Sequence, residues 1–320
     1  MNCGYPSLDT VRAAIGLAQR APSVHNSQPW RWHLINEELH LYADTSRHLT
    51  ATDPQQRALT VSCGAVLHHA RVALGALGWH GTVEYLPNSL VPEHLAVLRL
   101  APRRPTATDI HLAAAMTHRR SDRRRFGWGA APELYLRAAV RYGTGYGASV
   151  KTVASEERPV LRQLIRRAAR HHQNDVAYQT ELAEWSGHRG VREGVPARNA
   201  TAARTEDELP GRAFRNPTLT DTKRARDAAT WLMISTEHDD RLSQLRAGES
   251  LSALLLAATD LGLATCVQTE PLGLPELRAE VRSSLCEGRH PQVMVRAGLV
   301  TQAGPLPETP RRRPEEVLPF

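Results

Sequence analysis

Aromatic residues are scarce, at 5% of the 320-residue chain, too few for a stacking surface along single-stranded nucleic acid. Cysteine is scarcer: Cys3, Cys63, Cys266 and Cys286 stand far apart with no CxxC pair. That spacing excludes a zinc ribbon and a disulfide scaffold, and fits a reducing cytoplasm. No stretch approaches the run of about 18 apolar residues that a membrane helix needs. The opening Met1-Asn2-Cys3-Gly4-Tyr5-Pro6 lacks the basic and apolar regions of a secretory signal. Metalloprotease HExxH, hydrolase GxSxG and Walker lysine patterns are absent. His68-His69 and His171-His172 are adjacent pairs, which point to different helix faces and do not suit one metal. Gly143-Thr144-Gly145-Tyr146-Gly147 lacks the GxGxxG spacing and reads as a turn.

Lysine is nearly missing as well. Only Lys151 and Lys223 occur among 40 basic residues, so 40 − 2 leaves 38 arginines. The net charge of +7 puts an anionic ligand or nucleic acid under consideration. Steep salt dependence of DNA affinity would mark the latter.

What is present is a repeat. Gly64 to Gly78 and Gly248 to Gly262 have the same helical apolar layout. Gly64 and Gly248, Leu67 and Leu251, Ala73 and Ala257, Leu77 and Leu261, Gly78 and Gly262 match at an offset of 184. Strand candidates follow both, at Leu95–Leu100 and Gln292–Ala297. Duplication therefore predicts two α+β halves, residues 1–105 and 106–320. The first half carries a helix at Leu8–Arg20 and a hairpin of Trp30–Ile35 with Leu39–Tyr42. Ala101 to Pro105 reads as the linker. A helix at Asp109–His118 opens the second half, with Trp231–Ser235 as a buried strand and Leu251–Leu261 as its central helix. Residues 187–221, rich in Gly, Pro, Arg, Asn and Thr, form an insertion that reads equally as a lid or as disorder.

Three segments carry chemistry. Pro22-Ser23-Val24-His25-Asn26-Ser27-Gln28-Pro29-Trp30 places hydrogen-bonding side chains in a loop between a helix stop and a strand. His118-Arg119-Arg120-Ser121-Asp122-Arg123-Arg124-Arg125 sets five arginines around a serine, a pattern suited to phosphate. Arg311-Arg312-Arg313-Pro314 forms a basic segment near the C-terminus.

Together these resemble the flavin-binding signatures of the nitroreductase family, and Leu261-Gly262-Leu263-Ala264-Thr265 resembles its helix-end motif. The resemblance spans nearly the whole chain, with the motifs in altered order. Family members are homodimers holding FMN at the interface, one subunit giving the arginine–serine motif and tail, the other the Pro-Ser-x-x-Asn loop. Here the loop lies in the first half and the other motifs in the second. The resemblance thus implies a nitroreductase-like fold of two tandem halves, an intrachain pseudo-dimer with one hybrid FMN site and a lid-like insertion. This arrangement is most similar to the Acg-type branch.

By the same resemblance, Arg119, Arg120, Ser121 and Arg123 hold the phosphate, ribityl chain and pyrimidine edge, with Arg312 or Arg313 closing on the phosphate. Arg311 is an alternative to those two, and the roles of Arg124 and Arg125 stay open. Pro22, Ser23 and Asn26 approach from the other half, and the backbone of Val267, Gln268 and Thr269 faces the ring. Expected partners are FMN, NAD(P)H and a nitro or quinone acceptor, with no catalytic side chain required. The alternative is FMN storage without turnover. The implied assembly is a cytoplasmic monomer with no nucleic-acid or membrane partner.

Overall fold

The computed structural model describes residues 4–127, 129–187, 192–203, 210–221, 227–300 and 306–319. Cys3 and parts of the insertion lie outside the described residues.

The chain begins with helix α1 (Leu8–Ala18), whose Ser7 side chain accepts from the Thr10 amide and caps its start. Pro22 stops the chain from continuing as helix. Strands β1 (Trp30–Ile35) and β2 (Glu38–Ala43) form the expected hairpin. Asn36 and Glu37, both at positive φ, make its two-residue turn. Helix α2 (Arg57–Ala76) and strands β3 (Trp79–Tyr85) and β4 (His94–Pro102) complete an antiparallel sheet of order β1-β2-β4-β3.

Helix α3 (Ala107–His118) starts at a Thr106–Asp109 capping box. Then come α4 (Glu133–Thr144), β5 (Ser149–Thr152), α5 (Arg158–Asn174) and α6 (Val176–Glu184). Strand β6 (Thr230–Thr236), helix α7 (Arg241–Asp260), strand β7 (Ala264–Gln268), helix α8 (Pro275–Leu285) and strand β8 (His290–Gly298) follow. A short helix α9 (Pro314–Val317) ends the described chain. The second sheet has order β5-β6-β8-β7, the same plan as the first. Trp231–Ser235 is therefore a strand as expected, but β5 precedes it in this sheet.

Helices α2 and α7 pack against each other between the sheets, and their bounds are related by the same offset of 184. They cross at Gly64 and Gly248. A Cβ on Gly64 would stand 2.0 Å from the Leu245 carbonyl oxygen, and one on Gly248 2.1 Å from that of Val61. Only glycine permits backbones this close. Gly78 and Gly262, at φ +90 and +77, end the two helices in the left-handed conformation.

One apolar cluster runs through both halves. It includes Trp30 and Leu67 on one side, and Leu254 and Val293 on the other. The second sheet is covered on both faces, so β6 is buried along its whole length. Leu232 and Ile234 face the shared core, while Trp231 and Met233 face α5 and α8.

Candidate functional site

A cavity of about 730 Å³ lies where the loop after α1, the segment after α3, the end of β7, the insertion and the C-terminal tail converge. That volume suits a small-molecule ligand. Pro22, Ser23, Asn26, Arg119, Arg120, Ser121, Arg123, Val267, Gln268, Thr269 and Arg312 all line it. Arg313 does not, serving instead as the residue before α9, where its amide donates to Glu316. Segments far apart in sequence, from Pro22 to Arg312, are thus gathered around one space.

The Pro22–Trp30 loop is held in an unusual conformation. His25, Asn26 and Gln28 take φ of 47, 56 and 51 although none is glycine. Such backbone persists only when its surroundings fix it. Ser23 Oγ accepts from the Gln28 amide at 3.0 Å, and Ser62 Oγ from the Val24 amide at 3.2 Å. Asn26 Nδ2 donates to the carbonyls of Gly194 and Pro310, both at 3.0 Å. Its Oδ1 accepts from Arg311 Nη1. Asn26 therefore joins the loop, the insertion and the tail at one buried point.

The arginines divide by how their donors are used. Arg312 is committed to the protein: its amide donates to Gln28 Oε1 at 2.8 Å, and its guanidinium reaches the carbonyls of Gln28 and Glu316. Arg124 is paired with Asp122 at 2.7 Å, both buried, so it serves structure. Arg125 lines the cavity, and its amide donates to the Asp221 carboxylate. Arg119 and Arg311 differ. Arg119 is 4% exposed and donates through Nη2 to the Arg20 carbonyl at 3.1 Å, yet its Nε and Nη1 have no hydrogen-bond partner among the described residues. Arg311 Nε has none either.

Burial and the neighbouring Arg120 and Arg20 push Arg119 down to about 10. Burial, Arg119, Arg120 and Arg20 push Arg311 down to about 9. Glu308 counters part of this charge, meeting Arg120 at 2.8 Å and Arg20 at 3.2 Å. Ten arginines and two acids, Asp227 and Glu308, line the cavity among the described residues. Unsatisfied buried guanidinium groups are the donors a phosphate accepts from best. Ser121, bridged to Thr265 of β7, sits beside them. Apolar wall comes from Val61, Leu251, Val267 and Val293.

These features fit an anion with an apolar part. A protein of Mycobacterium tuberculosis H37Rv bearing the name "Putative NAD(P)H nitroreductase" is 41% identical over 99% of this chain and 93% of its own length. The chain belongs to the nitroreductase family. A second relative from the same organism, "Putative NAD(P)H nitroreductase acg", is 37% identical over 97% of this chain and 95% of its own. The nitroreductase family model itself matches residues 163–296. Among solved nitroreductases, the FMN-dependent NfnB of Mycobacterium smegmatis in complex with NADPH is 16% identical, covers 67% of this chain and 99% of that one, and gives a TM-score of 0.43.

The lid alternative placed the insertion near the site of this nitroreductase, but did not say which of its residues reach the cavity. Val195, Thr201, Ala202, Pro210, Gly211, Arg212 and Phe214 line it. Phe214 packs with Tyr178, Leu182, Val195 and Ala200 in a small apolar cluster of its own. Asn199 Nδ2 donates to the Pro307 carbonyl at 2.7 Å, and Gln28 Nε2 to the Arg192 carbonyl at 2.8 Å. Scattered single apolar residues in a polar segment give no periodic signal, so these contacts were not legible. His25 was missed because it occupies a variable position within an otherwise recognisable motif.

Proposed function

We propose that the chain is an FMN-binding flavoprotein with one flavin site, formed between two halves that meet near residues 105 and 106 as an intrachain pseudo-dimer. The observation that carries this reading is the pair of buried, incompletely partnered arginines, Arg119 and Arg311, set beside Ser121 and facing the Pro22–Asn26 loop of the other half. In this reading Arg119, Arg311 and Ser121 take the phosphate, with Arg120 and Arg312 shaping the surrounding wall. Arg123 and the β7 end at Val267, Gln268 and Thr269 border the flavin ring, and Pro22 and Ser23 bound it opposite.

The offset of 184 supports a single site. Ser62 and Thr269, which line the cavity, correspond to Arg246 and Tyr85, and Ala65, one turn along α2 from Val61, corresponds to Glu249. Glu249 is buried and held by Arg71 and the Tyr85 hydroxyl, both at 2.6 Å, and Arg246 lies 5.7 Å over the Tyr85 ring. Bulk and a buried ion pair thus stand where a reciprocal site would need room.

FMN would supply the hydride chemistry, accepting from NAD(P)H and passing electrons to a nitro or quinone acceptor. The protein's own residues bind, orient and shield. Arg123, the cationic group at the ring edge, would favour the reduced form by offsetting its charge. We place the protein in a reducing cytoplasm, a reading supported by three buried free thiols, Cys63, Cys266 and Cys286. No helix among the described residues is long and apolar enough to cross a membrane.

A second reading, FMN retention with little turnover, is favoured by one observation: insertion residues line the cavity and are hydrogen-bonded across to Asn26 and Gln28. Anaerobic addition of NADPH to the FMN-loaded protein separates the two. Rapid bleaching of the flavin band supports the reductase. Bleaching by dithionite alone supports retention. A protein that takes up no FMN contradicts both.

A further inference from the structure

The basic groups of the cavity wall fall into two sets. Arg20, Arg119, Arg120 and Arg311 lie close together, and the charges of Arg20 and Arg120 help to lower both Arg119 and Arg311. His25, Arg123 and Arg212 form the second set. The phosphate reading uses the first set and the flavin edge uses Arg123. His25 and Arg212 are left with no part in it.

Arg212 comes from the insertion and ties three segments together. Its Nη1 lies 2.6 Å from His25 Nε2, its Nη2 donates to Thr269 Oγ1 at 2.9 Å, and its Nε pairs with Glu270 at 3.5 Å. A guanidinium has donors only. His25 Nε2 must therefore be the acceptor, with its lone pair toward Arg212. Burial, then the charges of Arg212 and Arg123, hold the imidazole neutral, well below its ordinary range. The ring's one proton is consequently on Nδ1. That buried N–H has no acceptor among the described residues. A donor in this state is stabilised by any ligand that brings an oxygen to it.

We propose that His25 and Arg212 form an oxyanion subsite at this end of the cavity, which selects a carboxylate-bearing electron acceptor over its neutral counterpart. The proposal rests on the cavity being the flavin site. Charge favours an anion here. Arg123 donates to the Asn199 carbonyl at 2.9 Å and lies 4.8 Å over the Phe214 ring, with no carboxylate bound to it among the described residues. The nearby Asp122 is occupied by Arg124. Tyr178, pushed up to about 12 by burial, and His172, pushed down to about 4, are both neutral near pH 7. Among the described residues, Glu270 is the acid paired with Arg212.

The test titrates the FMN-loaded full-length protein with benzoate and with benzamide, two probes of similar shape and different charge, read by perturbation of the flavin absorbance. Benzoate should bind about tenfold more tightly, the scale of one charge-assisted hydrogen bond. Arg212→Gln should bring the ratio toward one, and His25→Phe should reduce it. Burial raises Glu270 to about 7. At about pH 6 it is neutral and leaves Arg212 uncompensated; at about pH 8 it is ionised and offsets that charge. The preference for benzoate should accordingly be larger at the lower pH.

Equal affinity of wild type for the two probes, or no benzoate binding, overturns the proposal, and so does a preference that survives in folded, FMN-loaded Arg212→Gln. Should that variant lose FMN, the wild-type comparison and its pH dependence decide by themselves. A chain that takes up no FMN fails the flavin reading instead. Calorimetric titration of that chain with the same probes still reads the subsite.

Discussion

Arg119 and Arg311 carry charge into the protein interior without a carboxylate bound to either among the described residues. Burying an unpaired cation costs several kcal/mol unless a counter-charge arrives, so these residues weaken the fold unless they serve a ligand. Two outcomes follow at this scale. Arg119→Ala or Arg311→Met should each weaken FMN binding by about 10- to 100-fold, the range of one charge-assisted contact, measured by fluorescence titration. Yet the flavin-free Arg311→Met protein should melt no lower than flavin-free wild type. A large fall in its melting temperature with FMN affinity unchanged would make Arg311 structural. Arg312 predicts the opposite balance, because, although it lines the cavity, its donors hold Gln28 and α9. Which of three consecutive arginines points inward was not legible in the sequence, since it depends on how the tail meets Asn26, 285 residues away.

At the scale of elements, the offset of 184 was readable because both central helices end in a left-handed glycine and carry the same apolar spacing. Their starts were not. Helix α2 begins at Arg57 after Gln56, which sits at φ 55 and gives no side-chain cap, so no familiar start signal marks it. The matched glycines themselves proved to be the crossing point. Gly64→Ala and Gly248→Ala should each destabilise by about 1–3 kcal/mol or more, because the added methyl meets backbone that cannot move aside. Gly262→Ala, with nothing within 4 Å of its Cβ, should cost only the left-handed strain, about 1 kcal/mol. Chemical denaturation of the three variants checks the ranking. Equal losses would mean that the close crossing does not limit packing.

The insertion belongs to the same scale. Its composition fitted a lid and disorder equally, and nothing local indicated which of its described residues would line the cavity. Arg212 and Phe214 act through partners reached only in three dimensions: His25, Thr269 and Arg123. Replacing residues 187–221 by a short Gly-Ser bridge should speed FMN dissociation and NADPH oxidation together, by stopped flow. Unchanged rates for both would remove the insertion from any gating role.

For the whole molecule, the two sheets of like order, the shared core through α2 and α7 and the unequal contents of their related positions support the proposal of two halves that complete one site. On that proposal the chain needs no second copy to bind flavin. Light scattering of the FMN-loaded protein should give the mass of one chain, and dilution should not release flavin in step with dissociation of a dimer. The count of sites bears most directly on the account. Titration of flavin-free protein with FMN, monitored by quenching of flavin fluorescence and calibrated against protein concentration, should saturate at one FMN per chain. Saturation at two would show that the related position around Tyr85, Arg246 and Glu249 also binds flavin, and absence of binding would contradict the flavin site altogether.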